Sequence, residues 1–303
     1  MANPNRMALL TKMHKVLKKH YKPVAIPDRP VLEHLLYACC LENAPYEQAD
    51  KAFAAVSTSF FDWNEVRVST VKELAEVMNM LPAAAAAAAN LKRVLQGVFE
   101  STYSFDLEPL KKQNLGQAQQ RLKKLEGATP FTISYLTQAT LGGHAIPLDK
   151  GLMQVFAVLG LASDADQVAC VVPGLERAIP KTKGVEFGSL AHQLGAEMFA
   201  NPYSPSLHKI LLEIAPDAKD RLPKRPVKGA KPKEAEAPAE ASKETKPKAE
   251  APTKGSAAKK IAPASGKKPV APQKSAADER AGAKKSGEKK KAGAVGISKR
   301  KPR

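Results

Sequence analysis

The sequence predicts an all-α protein followed by a disordered basic tail, and three observations lead to this prediction. Apolar residues within 1–222 recur at helical spacing, as in the stripe of Leu and Met side chains through 9–17. Alternating strand patterns are scarce, and the short apolar run 169–172 is too isolated to build a sheet. Residues 223–303 contain no Phe, Tyr or Trp. We therefore expect a helical domain of nine to eleven helices over 1–222 and a tail over 223–303.

Proline and capping residues predict where the first helices begin and end. The first helix should close before Pro23, because proline cannot continue a helix. Pro30 is suited to open the second helix, which must end before Pro45. Thr70 and Glu73 have the spacing of a capping box and predict the start of another helix.

A run of seven alanines, 83–89, predicts a long helix with Pro82 at its first position. The apolar periodicity continues from the alanines to Phe99. By the same periodicity, further helices are predicted at about 116–125, 130–141, 149–160, 186–199 and 205–214.

The net charge of the chain is concentrated in its last quarter. Residues 224–303 contain 24 Lys and Arg and 8 Asp and Glu, which gives +16 of the total +18. Such a composition buries too little apolar surface to offset the entropy of ordering. A solubilising linker is one interpretation, and a membrane surface is a weaker one. An anionic partner is favoured, because each lysine that meets a phosphate releases counterions.

The number and spacing of the cysteines and histidines argue against a disulfide framework, an iron–sulfur cluster and a metal site. Cys39, Cys40 and Cys170 do not form a secreted disulfide framework, and a cubane iron–sulfur cluster needs four thiolates. The six histidines show no spacing typical of a metal site, so no metal or cofactor is expected. The N-terminus lacks an apolar signal core, and no apolar run has membrane-spanning length. We expect a cytoplasmic, nucleoid-associated protein.

The stretch from Leu115 to Leu161 carries the most information about function. It predicts a hairpin at about 116–141, with two helices joined by a short turn. In this turn Gly127 supplies permissive backbone, and Thr129 is a natural N-cap ahead of Pro130. A second, Gly-rich turn then leads to an Asp that opens a new apolar helix.

This order of elements resembles the endonuclease III branch of the helix-hairpin-helix DNA glycosylases. In that family the hairpin commonly reads Leu-Pro-Gly-Val-Gly-x-Lys-Thr-Ala, and a catalytic Asp follows the Lys by eighteen residues. Here residues 125–133 fill the hairpin frame, and Asp149 stands eighteen residues after Phe131. Looser matches extend the resemblance to about residues 5–215.

The resemblance implies a fold, a reaction and a catalytic residue. Residues of about 25–140 would form a six-helix barrel, and 1–24 with 141–222 would form a second layer. Asp149 would stabilise positive charge on the sugar as the glycosidic bond breaks. Phe131 occupies the position of the lyase lysine and cannot form an imine, so the resemblance implies a monofunctional glycosylase without lyase activity.

The resemblance also implies contacts to double-stranded DNA around the hairpin. Lysines flank the turn and the Asp where a DNA backbone would pass, and the turn would contact phosphate through its backbone. The alternative interpretation is a solvated helix face and an ordinary turn. The DNA-contact candidates are Gly127, Ala128, Thr129, Lys123, Lys124 and Lys150.

Two groups of candidates have ordinary structural interpretations beside the functional ones. An Asp that opens a helix is commonly an N-cap, and both roles can coexist at Asp149. Tyr37, Trp63, Tyr135 and His144 are candidates for a base pocket, although packing in the core is favoured for Tyr135 and Trp63.

The leading functional hypothesis is a monomeric, monofunctional DNA glycosylase of base-excision repair. One alternative is a non-catalytic DNA-binding protein that kept the scaffold, which the altered hairpin and the missing lysine both favour. A second alternative is a helical protein-interaction module with a charged linker. DNA affinity of residues 1–222 separates the second alternative from the other two hypotheses.

Overall fold

The computed structural model describes the backbone of residues 4–225 and the side chains of 6–225. These residues belong to one compact unit. The tail beyond residue 225, with its predicted disorder, lies outside the described residues. Over the part of the chain that the structure describes, all regular secondary structure is helical, as predicted.

Thirteen α-helices and two short 3₁₀ helices make up residues 4–225. The 3₁₀ helices span Glu108–Lys112 and Pro216–Arg221. The α-helices, α1 to α13, are Pro4–His20, Val31–Leu41, Tyr46–Ser59, Trp63–Val68, Val71–Val77, Ala84–Thr102, Leu115–Lys123, Pro130–Ala139, Lys150–Val158, Asp164–Ala169, Leu175–Ala178, Lys181–Ala200 and Pro205–Ile214.

The structure corrects three details of the predicted helices. The count exceeds nine to eleven, because the short helices α4, α10 and α11 lack a long periodic signal. Pro82 does not begin α6: the turn that buries Leu81 runs on through Pro82, and the helix starts at Ala84. Helix α12 begins at Lys181, five residues before the predicted 186, because Pro180 already supplies the extended N-cap residue.

The first of two apolar cores lies within residues 31–136. Helix α2 is at its centre and packs against α3, α6 and α8. All of its residues except Glu33 are buried, as expected of a helix surrounded by other helices. The capping box that Thr70 forms with Glu73 fixes the start of α5, which packs on α6.

The second core joins the beginning of the chain to its later part. It contains residues of α1 between Leu10 and Leu17, together with residues 146–218. Helices α9 and α12 pack most extensively here, because Gly151 and Gly195 face each other without side chains between the backbones. The two cores divide the chain near residues 25 and 140, as the family resemblance implies.

Candidate nucleic-acid interface and the buried Asp149 corner

The predicted hairpin is present as α7 and α8, joined by the turn 124–129. Thr129 caps α8 and forms a capping box with Thr132. Gly127 has φ = 84°, and a Cβ there would lie 2.5 Å from the Asn90 carbonyl oxygen. The turn therefore packs directly on α6, and glycine is required both by its backbone angle and by this close approach.

The backbone donors of the hairpin turn are partly used inside the turn. The Ala128 amide donates to the Leu125 carbonyl oxygen at 3.2 Å, and the Thr129 amide donates to Thr132 Oγ1 at 2.9 Å. Pro130 has no amide hydrogen. A phosphate that accepts from Ala128 or Thr129 must replace one of these bonds.

Three candidate lysines are exposed in this region. Lys123 and Lys124 are exposed at the end of α7, and Lys150 is exposed at the start of α9. Each can reach solvent with its ammonium group, as a phosphate contact requires.

Asp149 is the N-cap of α9, and its side chain is 0% exposed. Its Oδ1 accepts a hydrogen bond from the Leu152 amide at 2.7 Å, so the ordinary capping role is present. Its Oδ2 lies 3.0 Å from Nδ1 of His192, within ion-pair distance. Neither of these two atoms meets hydrogen-bond geometry with a partner in the described part of the chain.

His192 lies on α12 and is held from its other side by the backbone of the α2–α3 connection. Its Nε2 is 2.9 Å from the carbonyl oxygen of Ala44, which can only accept. Nε2 therefore carries a hydrogen, and Nδ1 faces the Asp149 carboxyl group.

Phe131 packs against the His192 ring. The Phe131 side chain is buried, its ring centroid lies 5.5 Å from that of His192, and it stacks on Tyr135 at 6.4 Å. Tyr46 meets His192 edge-on at 5.1 Å. Only about 10 Å³ of cavity remains between these rings. The position of the family's lysine is thus part of a packed aromatic cluster.

The sequence did not reveal that the end of α2 docks on the hairpin and on α9. Thr129 Oγ1 donates to Glu42 Oε2 at 2.9 Å. Asn43 adopts left-handed backbone (φ = 62°), and its Oδ1 accepts from the Lys150 amide at 3.0 Å. An Asn just after a helix is a common left-handed residue, which is the one local signal that these contacts have.

A wide groove of about 1310 Å³ runs between the hairpin and the segment 169–177. Its floor is largely apolar, with Ile133 on the hairpin side and Leu148 ahead of α9. Lys123 and Arg177 line opposite sides. The groove is a second opening beside the hairpin, distinct from the small cavity at Phe131.

The four aromatic and His candidates for a base pocket lie at different places. Tyr37 and Tyr135 are buried in the first core, and Trp63 packs on its edge against Phe53. His144 Nε2 is held by the carbonyl oxygens of Glu176 and Ile179 at 3.0 and 2.9 Å, at the groove. Of these four, Tyr135 stacks on Phe131.

Metal sites and membrane-spanning helices are both missing from the described part of the chain. Across residues 6–225, no three His, Cys, Asp or Glu side chains gather as the ligands of a metal ion would. None of the helices assigned within 4–225 has the length and apolar character needed to cross a membrane.

The fold is similar to solved structures of DNA glycosylases. A non-covalent endonuclease III–DNA complex matches with a TM-score of 0.52 and 18% identity, over 73% of this chain and 99% of that one. A trapped covalent endonuclease III–DNA intermediate matches with a TM-score of 0.51 and 17% identity, over 74% and 100%. No family model and no curated protein matches the sequence. The resemblance to the helix-hairpin-helix glycosylases is thus confirmed for the fold, with wide divergence in sequence.

Proposed function

We propose that this chain is a DNA-binding protein on the glycosylase scaffold, which holds duplex DNA at the hairpin without excising a base. The observation that carries this proposal is the complete burial of the Asp149 carboxyl group. This is the non-catalytic alternative that the altered hairpin already favoured.

Base excision requires space that this corner does not offer. A flipped base enters a closely fitting pocket, and ligand pockets in proteins span roughly 300–1,000 Å³. The cavity beside Phe131 and His192 measures about 10 Å³. A carboxylate that is 0% exposed also cannot approach a sugar unless the aromatic cluster moves aside.

The DNA-binding part of the proposal rests on the exposed side of the hairpin. Lys123, Lys124 and Lys150 would pair with phosphates, and the turn residues Gly127, Ala128 and Thr129 would lie against the backbone. The basic tail would add sequence-independent affinity and keep the protein on chromosomal DNA, because its +16 charge can release many counterions.

A second candidate is the monofunctional glycosylase with Asp149 as its catalytic carboxylate. One observation favours it: Asp149 Oδ2 is buried without a hydrogen bond from the described residues, which is costly unless the atom has another use. Lyase chemistry remains unsupported, because Phe131 has no amine. In this candidate, Phe131 and His192 must swing away when DNA binds.

The decisive experiment measures binding and base release together. The full chain is incubated with duplexes that carry alkylated, oxidised or deaminated bases, and with undamaged duplex. We expect a gel shift with all of them and release of none. Release by the wild type that is lost in Asp149→Asn, with an unchanged circular dichroism spectrum, would establish the second candidate instead.

A fragment ending at Leu222 tests whether the helical domain itself binds, since both cores are complete within residues 10–218. We expect a gel shift at low salt that weakens at higher salt. The variant Lys123→Ala/Lys124→Ala should reduce the salt slope by about 2, roughly 1 per lysine. Lys209→Ala, an exposed lysine on α13, is the control. If the fragment does not shift, the protein-interaction module replaces both candidates.

A further inference from the structure

The end of α2 occupies the space between the starts of two helices. Glu42 accepts from Thr129 at the start of α8, and Asn43 accepts from the amides of Lys150 and Gly151 at the start of α9. Helix N-termini carry partial positive charge and attract anions. In this structure, that attraction is satisfied by side chains of the chain itself.

Glu42 brings a carboxyl group into this space, where it is partly exposed. Two of the six candidate DNA contacts, Thr129 and Lys150, are its neighbours: it is hydrogen-bonded to the first and electrostatically coupled to the second. The segment after α10 lies within electrostatic range of Glu42, since the charge of Glu42 helps to raise the pKa of the Cys170 thiol, which lines the groove. A phosphate that approaches Thr129 and Lys150 therefore meets a carboxyl group of the protein.

The surroundings of Glu42 favour its neutral form. Burial raises the pKa of the Glu42 carboxyl above its usual value, and the Thr129 hydrogen bond opposes this rise. The nearby Asp149 carboxyl raises the pKa further, and Lys150 lowers it. Two thiols, Cys39 and Cys170, also feel the charge of Glu42, and burial is the main cause that raises the pKa of each.

We propose that Glu42 sets the affinity of the hairpin for DNA: its carboxylate competes with the phosphate backbone for Thr129 and Lys150, and neutralising it tightens binding. This inference rests on the proposed DNA binding and adds a residue that limits it. Because acid protonates Glu42, the hairpin should bind DNA more tightly in mildly acidic solution. Protonation of the Glu42 carboxylate removes its competition with the phosphate backbone.

Fluorescence anisotropy of the full chain with an undamaged duplex tests the inference between pH 8 and pH 5.5. Glu42→Gln keeps an acceptor for Thr129 and removes the charge, so we expect about threefold to tenfold tighter binding at pH 8. Lowering the pH should tighten the wild type toward Glu42→Gln, because the raised pKa makes Glu42 protonate above the usual glutamate range. Glu42→Asp keeps the charge and should stay close to the wild type at pH 8.

Glu126→Gln is the matched control, since Glu126 is exposed on the same hairpin turn. It removes the same charge from solvent, where screening is strong, and should change affinity less than Glu42→Gln at pH 8, where Glu42 is charged. The inference is wrong if Glu42→Gln binds no tighter than Glu126→Gln, or if its pH profile runs parallel to that of the wild type.

The same assay separates this failure from failure of the proposed function. If Lys123→Ala/Lys124→Ala weakens binding and Glu42→Gln leaves it unchanged, only the role of Glu42 is overturned. If neither variant changes affinity, the hairpin does not bind DNA and both proposals fall. Circular dichroism of each variant verifies that the helical fold is retained.

Discussion

The hairpin turn and the Asp149 corner lie only about twenty residues apart in the sequence, yet they differ in almost every physical respect. The turn presents Lys123 and Lys124 to solvent. The corner buries Asp149 and His192, and the buried Phe131 ring packs against His192. Both regions belong to the segment 115–161, on which the sequence resemblance to the glycosylases rests. The difference teaches that neighbouring parts of one segment can have opposite fates in the same fold, one as an exposed basic surface and the other as part of the packed core.

Of the changes that test the contrast between the turn and the corner, Phe131→Ala should have the largest effect. Removing a fully buried phenyl ring costs about 3–5 kcal/mol of unfolding free energy, measured by urea denaturation. Phe61→Ala is the matched control, because Phe61 is 95% exposed and its loss should change stability by less than about 0.5 kcal/mol. If Phe131→Ala gains release of a damaged base, the corner is an active site that Phe131 blocks, and its description as packed core alone is wrong.

Gly127→Ala should cause the next largest loss of stability, and it tests the packing of the turn on α6. Alanine there suffers from the left-handed backbone and from contact with Asn90 and Arg93 of α6, so we expect a loss of about 2–4 kcal/mol. Gly142→Ala shares the positive φ but has open space, and should lose only about 1–2 kcal/mol. Equal losses in thermal or urea denaturation would show that the packing of the turn on α6 is unimportant.

The parts of the site that the sequence predicted depend on neighbouring residues. Thr129 followed by Pro130 determines the start of α8, and Asp149 caps α9, because caps act within one turn of a helix. The division into two cores was expected from the family resemblance rather than from these local signals. The same local rules misplaced the start of α6, where the burial of Leu81 decides the turn.

The contacts that decide the chemistry were not predictable, because they join distant parts of the chain. Glu42 meets Thr129 across 87 residues, and His192 meets Ala44 across 148. The six histidines gave no spacing signal, so nothing singled out His192 as the partner of Asp149. Phe131 was identified as the replacement for a lysine. Only the packing of α8 against α12 and α2 shows that its ring lies against His192 in the aromatic cluster.

The division into two cores has a consequence for how the chain is made. The first core uses a continuous stretch, 31–136, so all of its residues are present once that stretch has left the ribosome. The second core needs residues of α1 and of 146–218 together. Helix α1 is synthesised first, so its apolar stripe stays exposed while more than a hundred further residues are added, until its partners in 146–218 are present. The corner that buries Asp149 against His192 is among the last parts of the domain to close.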